Sequence, residues 1–314
     1  MFRFFLSRIA QTIAVLFTVS VIIFALMRLI PGDPILMMLG DDFSQDAYRR
    51  LQIKFGLDRS IVVQYLIWLG NILRGEFGDS YLNQEPVRRL VWDAFQPTLV
   101  LVVASLIVGV LIALPSGIVA AMRKNSPWDW GSMGFAIFVY SMPSFWKGIV
   151  LIWIFSVGLG WFPAVGYVPP WQEFWNGMWR LVLPAITLGT FFSGLVARIV
   201  RSSLLEVLDQ DYIKAARARG VRQTTLVYRH GLANALIPVV TVIGLQFGAL
   251  LGGAVLTETV FGIPGMGRLT VAAILNRDYA VVQGTILVGV LAVVVVNLMV
   301  DLTYAFLNPR IRVT

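Results

Sequence analysis

ALIPVVTVIGLQFGALLGGAVLT, residues 235–257, runs its whole length without a charged side chain. At about 1.5 Å of rise per helical residue, such a run crosses the roughly 30 Å hydrocarbon core of a bilayer. It shows no alternation of apolar and polar residues. It therefore reads as a helix, which satisfies its backbone groups within the segment, and not as a barrel strand. Working outward, further runs share this character, and six spans are expected at about 9–30, 95–121, 133–159, 181–200, 235–257 and 281–305. Composition agrees: with 58% hydrophobic residues, 13% charged residues and a mean hydropathy of +0.78, a soluble globule could not hide its apolar surface. The expected fold class is all-α, a polytopic membrane protein with six transmembrane helices.

Lys and Arg beside the span ends set the orientation. With the N-terminus inside, the inner segments carry thirteen basic residues against Asp129, Glu206, Asp209 and Asp211, while basic and acidic residues nearly balance in the outer segments and their flanks. Both termini are expected in the cytoplasm. The pI near 10.0 then reflects topology and not nucleic-acid contact, because the charge sits at span ends and forms no continuous stripe. The first apolar run, Ile9 to Ile30, is longer than a signal h-region and meets no small-residue cleavage site before Pro31, so it is expected to stay as a span.

The chain divides into residues 1–94, the first span plus an outer amphipathic segment, and residues 95–314, a five-helix core. In the outer segment Ser44 to Lys54 reads as a short amphipathic helix, FGLD at 55–58 as a break, and Ile61 to Leu73 as a helix too short to span. Pro86 and Pro97 punctuate the return to the second span. The connection from Gly160 to Arg180 gathers Trp161, Tyr167, Trp171, Trp175 and Trp179, which read as an interfacial aromatic belt in preference to an aromatic substrate clamp.

Catalytic and metal chemistry is largely excluded. There is one histidine, His230, no cysteine and no His-Glu-x-x-His, so the usual ligands of a transition-metal site are missing. No Gly-x4-Gly-Lys-Ser/Thr occurs, so the chain has no P-loop with which to cradle ATP phosphates. An ion- or proton-coupled carrier would place acidic or His relays within spans, and the spans contain almost none.

Just before the opening run stands DYIKAARARGVRQTTLVYRHGLAN, residues 211–234, a basic stretch between two spans within a loop at about 201–234. Asp211 is placed to cap a short helix, and Tyr212, Ala215, Ala216 and Arg219 recur on one helical face. Gly220 stands where a left-handed residue would end that helix. Small side chains on this face permit close docking into a partner's groove. A second helix is expected to start near Thr224 or Thr225 and run through His230 into the fifth span.

These residues resemble the permease subunits of bacterial ABC importers, specifically the dipeptide, oligopeptide, glutathione and nickel family. The resemblance rests on Asp211-Tyr212, on Ala216-Arg217-Ala218-Arg219-Gly220 and on His230 through Leu232 and Asn234 to Pro238. Lys214 replaces the Glu of the broader Glu-Ala-Ala consensus, a branch feature. Further matches run the length of the chain: PGDP at 31–34, FGLD, FGDS at 77–80, TETVFGIPGMGRL at 257–269, RDYAVVQG at 277–284 and NPRIR at 308–312.

The resemblance implies a six-span subunit of the bacterial cytoplasmic membrane that forms half of a translocation pathway. It also implies a second, related permease, two ATPase subunits that bind the ATP and Mg this chain does not, and an extracytoplasmic solute-binding protein, periplasmic or lipid-anchored. The ATPase-coupling residues would be Asp211, Tyr212, Ala215, Ala216, Arg217, Arg219, Gly220 and His230. Peptides are the implied substrate class, with oligosaccharide, opine or nickel-chelate import as the alternatives within transport.

Two features invite pathway readings. Lys147 lies mid-span just after SMPSFW, where a buried ammonium is costly; pairing within the bundle and a site for a substrate carboxylate both account for it. Gly244, Gly248 and Gly252 form a ridge in the fifth span that suits close helix packing and could also line the pathway.

Overall fold

A computed structural model describes residues 2–29, 34–39, 43–54 and 56–307. The helices are α1 Phe2–Leu29, α2 Pro34–Leu39, α3 Gln45–Lys54, α4 Ile61–Leu73, α5 Val87–Met122, α6 Pro127–Ser141 and α7 Ser144–Leu151. They continue as α8 Phe174–Leu208, α9 Asp211–Ala218, α10 Gln223–Thr225, α11 Leu232–Phe261, α12 Met266–Leu275 and α13 Tyr279–Leu307. Wider turns of π type extend α7 over Ile152–Gly158 and lead into α11 over Leu226–Gly231. NPRIR at 308–312 and most of PGDP at 31–34 fall outside the described residues.

Five of the described helical stretches are long and apolar enough to cross a membrane, and the sixth expected span is a broken one. Residues expected to form one helix at 133–159 form α6 and α7, bent by 102° at Met142 and Pro143. The cause is local. A residue before proline is driven out of the helical region, and Met142 is extended at ψ 132. Pro143 also lacks the N–H that a continuing helix would give to the Val139 carbonyl.

Pro97, within the second span as bounded at about 95–121, lies inside α5 together with Pro115, and the helix begins eight residues before that bound. At 36 residues α5 is about 54 Å long, well beyond the bilayer core, as expected of a helix that projects into the headgroup region or farther. The short outer helices fall where the pattern puts them. Ser44 starts α3, its Oγ accepting from Ala47 N at 3.2 Å, and α4 spans Ile61–Leu73.

Contacts group the chain into two units, Met1–Gln96 with Gly265–Val294, and Pro97–Pro264 with Val295–Thr314. Residues 265–294 group with the N-terminal segment and not with the rest of the chain from 97 onward. In that unit α4 is pinned to α1 by a 2.8 Å bond between the Ser20 and Tyr65 hydroxyls and by Phe24 edge-on to Tyr65. Arg28 stacks on Phe24 and donates to Gln64. Val87 and Val91 pack with Ala273, Ala280, Val281 and Val282. Ser80 donates to the buried Asp278, whose other oxygen accepts from Val281 N at the start of α13.

In the second unit α8 is the most enclosed helix, with buried residues from Leu181 to Leu204. It admits neighbours by lacking side chains at the crossings. A Cβ on Gly189 would come within 2.5 Å of the Ser105 carbonyl of α5, and one on Gly194 within 2.5 Å of the Ala136 carbonyl of α6. Helix α11 ends in a Schellman motif: Gly262 is left-handed at φ 65, Ile263 N donates to Glu258 O at 2.8 Å, and Gly262 N donates to Thr259 O.

Candidate functional site

The basic loop between α8 and α11 is a small folded unit with its own core. Ile213 and Leu226 are fully buried and Ala216 nearly so, with Leu208 and Val221 packed around them. Gly220 at φ 83 closes α9: its N–H reaches Arg217 O at 3.0 Å, and Val221 N reaches Ala216 O at 3.2 Å. This is the same Schellman closure that ends α11, with the expected apolar contact between Val221 and Ala216.

Two expectations change here. Gln210 occupies the N-cap position of α9 without a side-chain capping bond, and Asp211 is the first helical residue. There its carboxylate still faces the positive end of the helix, and Lys214 lies 3.3 Å from Asp209 and 3.8 Å from Asp211. These pairs are exposed and contribute little to stability. The second change concerns the docking face. Ala216 turns inward onto Leu226, whereas Tyr212, Ala215 and Arg219 are exposed. Position 216 is small because the loop's own core has no room for more.

The open surface therefore comprises Tyr212, Ala215, Arg217, Ala218, Arg219 and Gly220, and a Cβ added to Gly220 meets nothing within 4 Å. Asn234 on α11 donates to the Tyr212 hydroxyl at 2.9 Å and to His230 O at 3.3 Å, which ties α9 to the start of the span. His230 is half-buried in the π-type turn, whose Gly231 packs on Leu204 and Leu208 of α8. Beside α9 opens a polar cavity of about 440 Å³ reached by Lys124, Glu206, Asp209, Arg217 and Gln223. The assembly is a packed basic projection joined to two spans.

The other candidates lie apart from this loop. Lys147, 6% exposed, donates to Thr190 Oγ1 of α8 at 3.1 Å and to Val139 O at 3.3 Å. The second acceptor is the carbonyl that Pro143 leaves without its helical donor, so the ammonium fills a vacancy made four residues earlier. Both partners belong to the same unit, which is the arrangement required by pairing within the bundle. The glycine ridge is not uniform. Gly244 is buried, and a Cβ there would come within 2.3 Å of Val300; Gly248 is half-buried, and Gly252 is exposed with open space around it. Among the described residues no group of three or more His, Cys, Asp or Glu could hold a metal ion.

Two features escaped the sequence pattern. Arg201 of α8 grips Asp129 of α6 through two bonds of 2.7 Å, and Asp129 also accepts from Asn125 N at 3.0 Å. The Ser126-x-x-Asp129 spacing signals only the local cap of α6, in which Ser126 Oγ accepts from Asp129 N, and not the pairing with Arg201. Glu258, fully buried, accepts from Thr98 Oγ1 at 2.5 Å. Its acidity beside a span end was visible, but its partner 160 residues away was not.

Residues 113–313 match the family model described as binding-protein-dependent transport system inner membrane component, and residues 1–102 match the N-terminal model of such membrane components. A putative peptide transport system permease protein of Brucella abortus (strain 2308) is 41% identical over 307 residues, 98% of each chain. The glutathione transport system permease protein GsiC of Escherichia coli (strain K12) is 40% identical over 312 residues, 99% of each chain. Among solved structures, a chain of the MetNI methionine ABC transporter in an inward-facing conformation aligns with a TM-score of 0.60 at 19% identity, covering 71% of this chain and 99% of that one. That likeness concerns the fold, whose helical core the two chains share. By sequence along nearly its whole length, the chain is a permease, a multi-pass member of the binding-protein-dependent transport system inner membrane components.

Proposed function

We propose that the chain is one of two related permease subunits of an ATP-driven peptide importer, and that α9 and its glycine turn are the handle on which an ATPase subunit pulls. The observation that carries this reading is the folded loop. Its core of Ile213, Ala216 and Leu226 holds α9 rigidly against the ends of α8 and α11, while a face of small and basic side chains stays open. A rigid projection transmits a displacement to the spans, whereas a flexible basic loop would absorb it. Energy comes from separate ATPase subunits, which bind ATP and Mg, because the chain carries no P-loop. A solute-binding protein delivers the substrate from outside, and both termini and the loop face the cytoplasm. The peptide class is supported by relatives named for peptide and glutathione transport.

Ala215→Trp tests the handle. It adds bulk on the open face without touching the loop's core, so ATP hydrolysis should persist while coupled uptake in the reconstituted complex falls by about tenfold or more, as the loss of a central contact would produce. Unchanged uptake with normal assembly would remove the docking role from α9.

A further inference from the structure

The turn joining α5 to α6 carries a second surface that the coupling loop does not use. Between the last residues of α5 and the first of α6 lies a groove of about 520 Å³ lined by Val119, Met122, Arg123 and Trp128. Three of its four walls are apolar. The fourth, Arg123, is exposed, and its guanidinium lies 5.0 Å from the centre of the Trp128 ring. No carboxylate of the described residues lies within 4.0 Å of Arg123. Asp129, the acid of the same turn, is fully committed to Arg201. Lys124 follows but lines the cavity beside α9.

Position specifies what such a groove can hold. Met122 is the last residue of a membrane-spanning helix, Trp128 and Trp130 stand exposed on the next one, and exposed tryptophans beside a span end are the residues enriched at headgroup depth. An apolar slot at that depth with an uncompensated cation at its rim is complementary to a molecule with a hydrocarbon tail and an anionic head. A soluble phosphate would leave the apolar walls unfilled, and a neutral lipid would leave Arg123 without a counter-charge.

We propose that this groove is a binding site for an anionic phospholipid, its acyl chain lying along Val119, Met122 and Trp128 and its phosphate held by Arg123. Basic sites of this kind between membrane helices attract acidic headgroups. The bound lipid would brace the α5–α6 turn, whose other side carries the Asp129–Arg201 pair.

The test uses the full-length protein with its co-purifying subunits, reconstituted in nanodiscs of phosphatidylglycerol and phosphatidylcholine, re-extracted in detergent and analysed for retained lipid by native mass spectrometry. Wild type should retain phosphatidylglycerol in preference to phosphatidylcholine. Arg123→Gln should reduce that retention about fivefold, the effect of one basic group near a charged lipid surface. Val119→Trp keeps the charge but fills the slot, and should reduce it by a similar factor. Retention unaffected by either change overturns the site. A loss confined to Arg123→Gln overturns the groove as an acyl site and leaves only attraction between surface charges. A photo-crosslinker at position 128 should capture lipid; capture of another subunit instead would overturn the proposal by identifying a protein occupant.

Discussion

Asp129 and Lys147 are two of the buried charged side chains of the second unit, and they are held in opposite ways. Asp129, 2% exposed, meets a full counter-charge: two parallel 2.7 Å bonds from Arg201, with a backbone N–H in support. Lys147, 6% exposed, meets only neutral oxygens, one of them a carbonyl that Pro143 has orphaned. The first arrangement ties two helices together by charge. The second repairs a backbone break, and its charge is secondary to its reach as a donor. The difference teaches that burial of an ionisable group in a membrane bundle is not by itself a sign of a substrate site. Within this chain each is held by neighbouring helices of the second unit.

The comparison breaks most readily at Asp129. Asp129→Asn leaves Arg201 with half of its partner and none of the counter-charge; because the Arg201 side chain is 26% exposed and water can reach it, the cost should be about 2–3 kcal/mol, below the penalty for breaking a fully buried pair from one side. The measurement is thermal or denaturant unfolding in detergent. Asp129→Leu combined with Arg201→Met removes both charges and should recover most of the loss. A double variant as unstable as the single one would mean that the two residues do not act as a pair.

Lys147→Met should have a smaller effect. Removing the ammonium leaves the Val139 carbonyl and the Thr190 hydroxyl each short of one donor but also relieves a desolvated charge, so a net loss of about 1–2 kcal/mol is expected. Pro143→Ala restores a backbone N–H at the break and should shrink the Lys147→Met penalty in a double-mutant cycle. Transport separates the two readings of Lys147. Because the ammonium is committed inside the bundle, the substitution should slow uptake of a peptide and of its C-terminal amide alike, with the binding protein saturated by each. A loss confined to the carboxylate form would return Lys147 to the translocation pathway.

Much of this architecture was legible because bilayer thickness and helical rise leave few choices for runs such as 235–257. The basic loop was legible for a different reason: Gly220 occupies a left-handed position that favours glycine, and the residues before it, Ala215 to Arg219, are good helix formers. The bend at Met142 and Pro143 was not, since hydropathy sums over the two halves and proline is common within membrane spans, as Pro97, Pro115, Pro184 and Pro238 are here. Spacing alone also could not tell that Ala216 faces the loop's own core while Ala215 faces outward; that depends on where Leu226 returns. The Asp129–Arg201 and Thr98–Glu258 contacts join distant segments, so no local pattern contains them.

The smallest expected effect lies at Thr190, and it sharpens the account of Lys147. The Thr190 hydroxyl has one proton, which it shares with the carbonyls of Ile186 at 2.8 Å and Thr187 at 3.2 Å on its own helix, so towards Lys147 it acts only as an acceptor. Thr190→Val keeps the shape and removes that acceptor, while the Val139 carbonyl still holds the ammonium. The loss should be about 0.5–1.5 kcal/mol, less than for Lys147→Met, and Thr190→Ser should restore most of it because the hydroxyl returns without the methyl. Unfolding midpoints of the three variants in one detergent would check the order. If Thr190→Val proved as damaging as Lys147→Met, the ammonium would depend chiefly on α8, and the vacancy left by Pro143 would lose its place as the reason a lysine stands there.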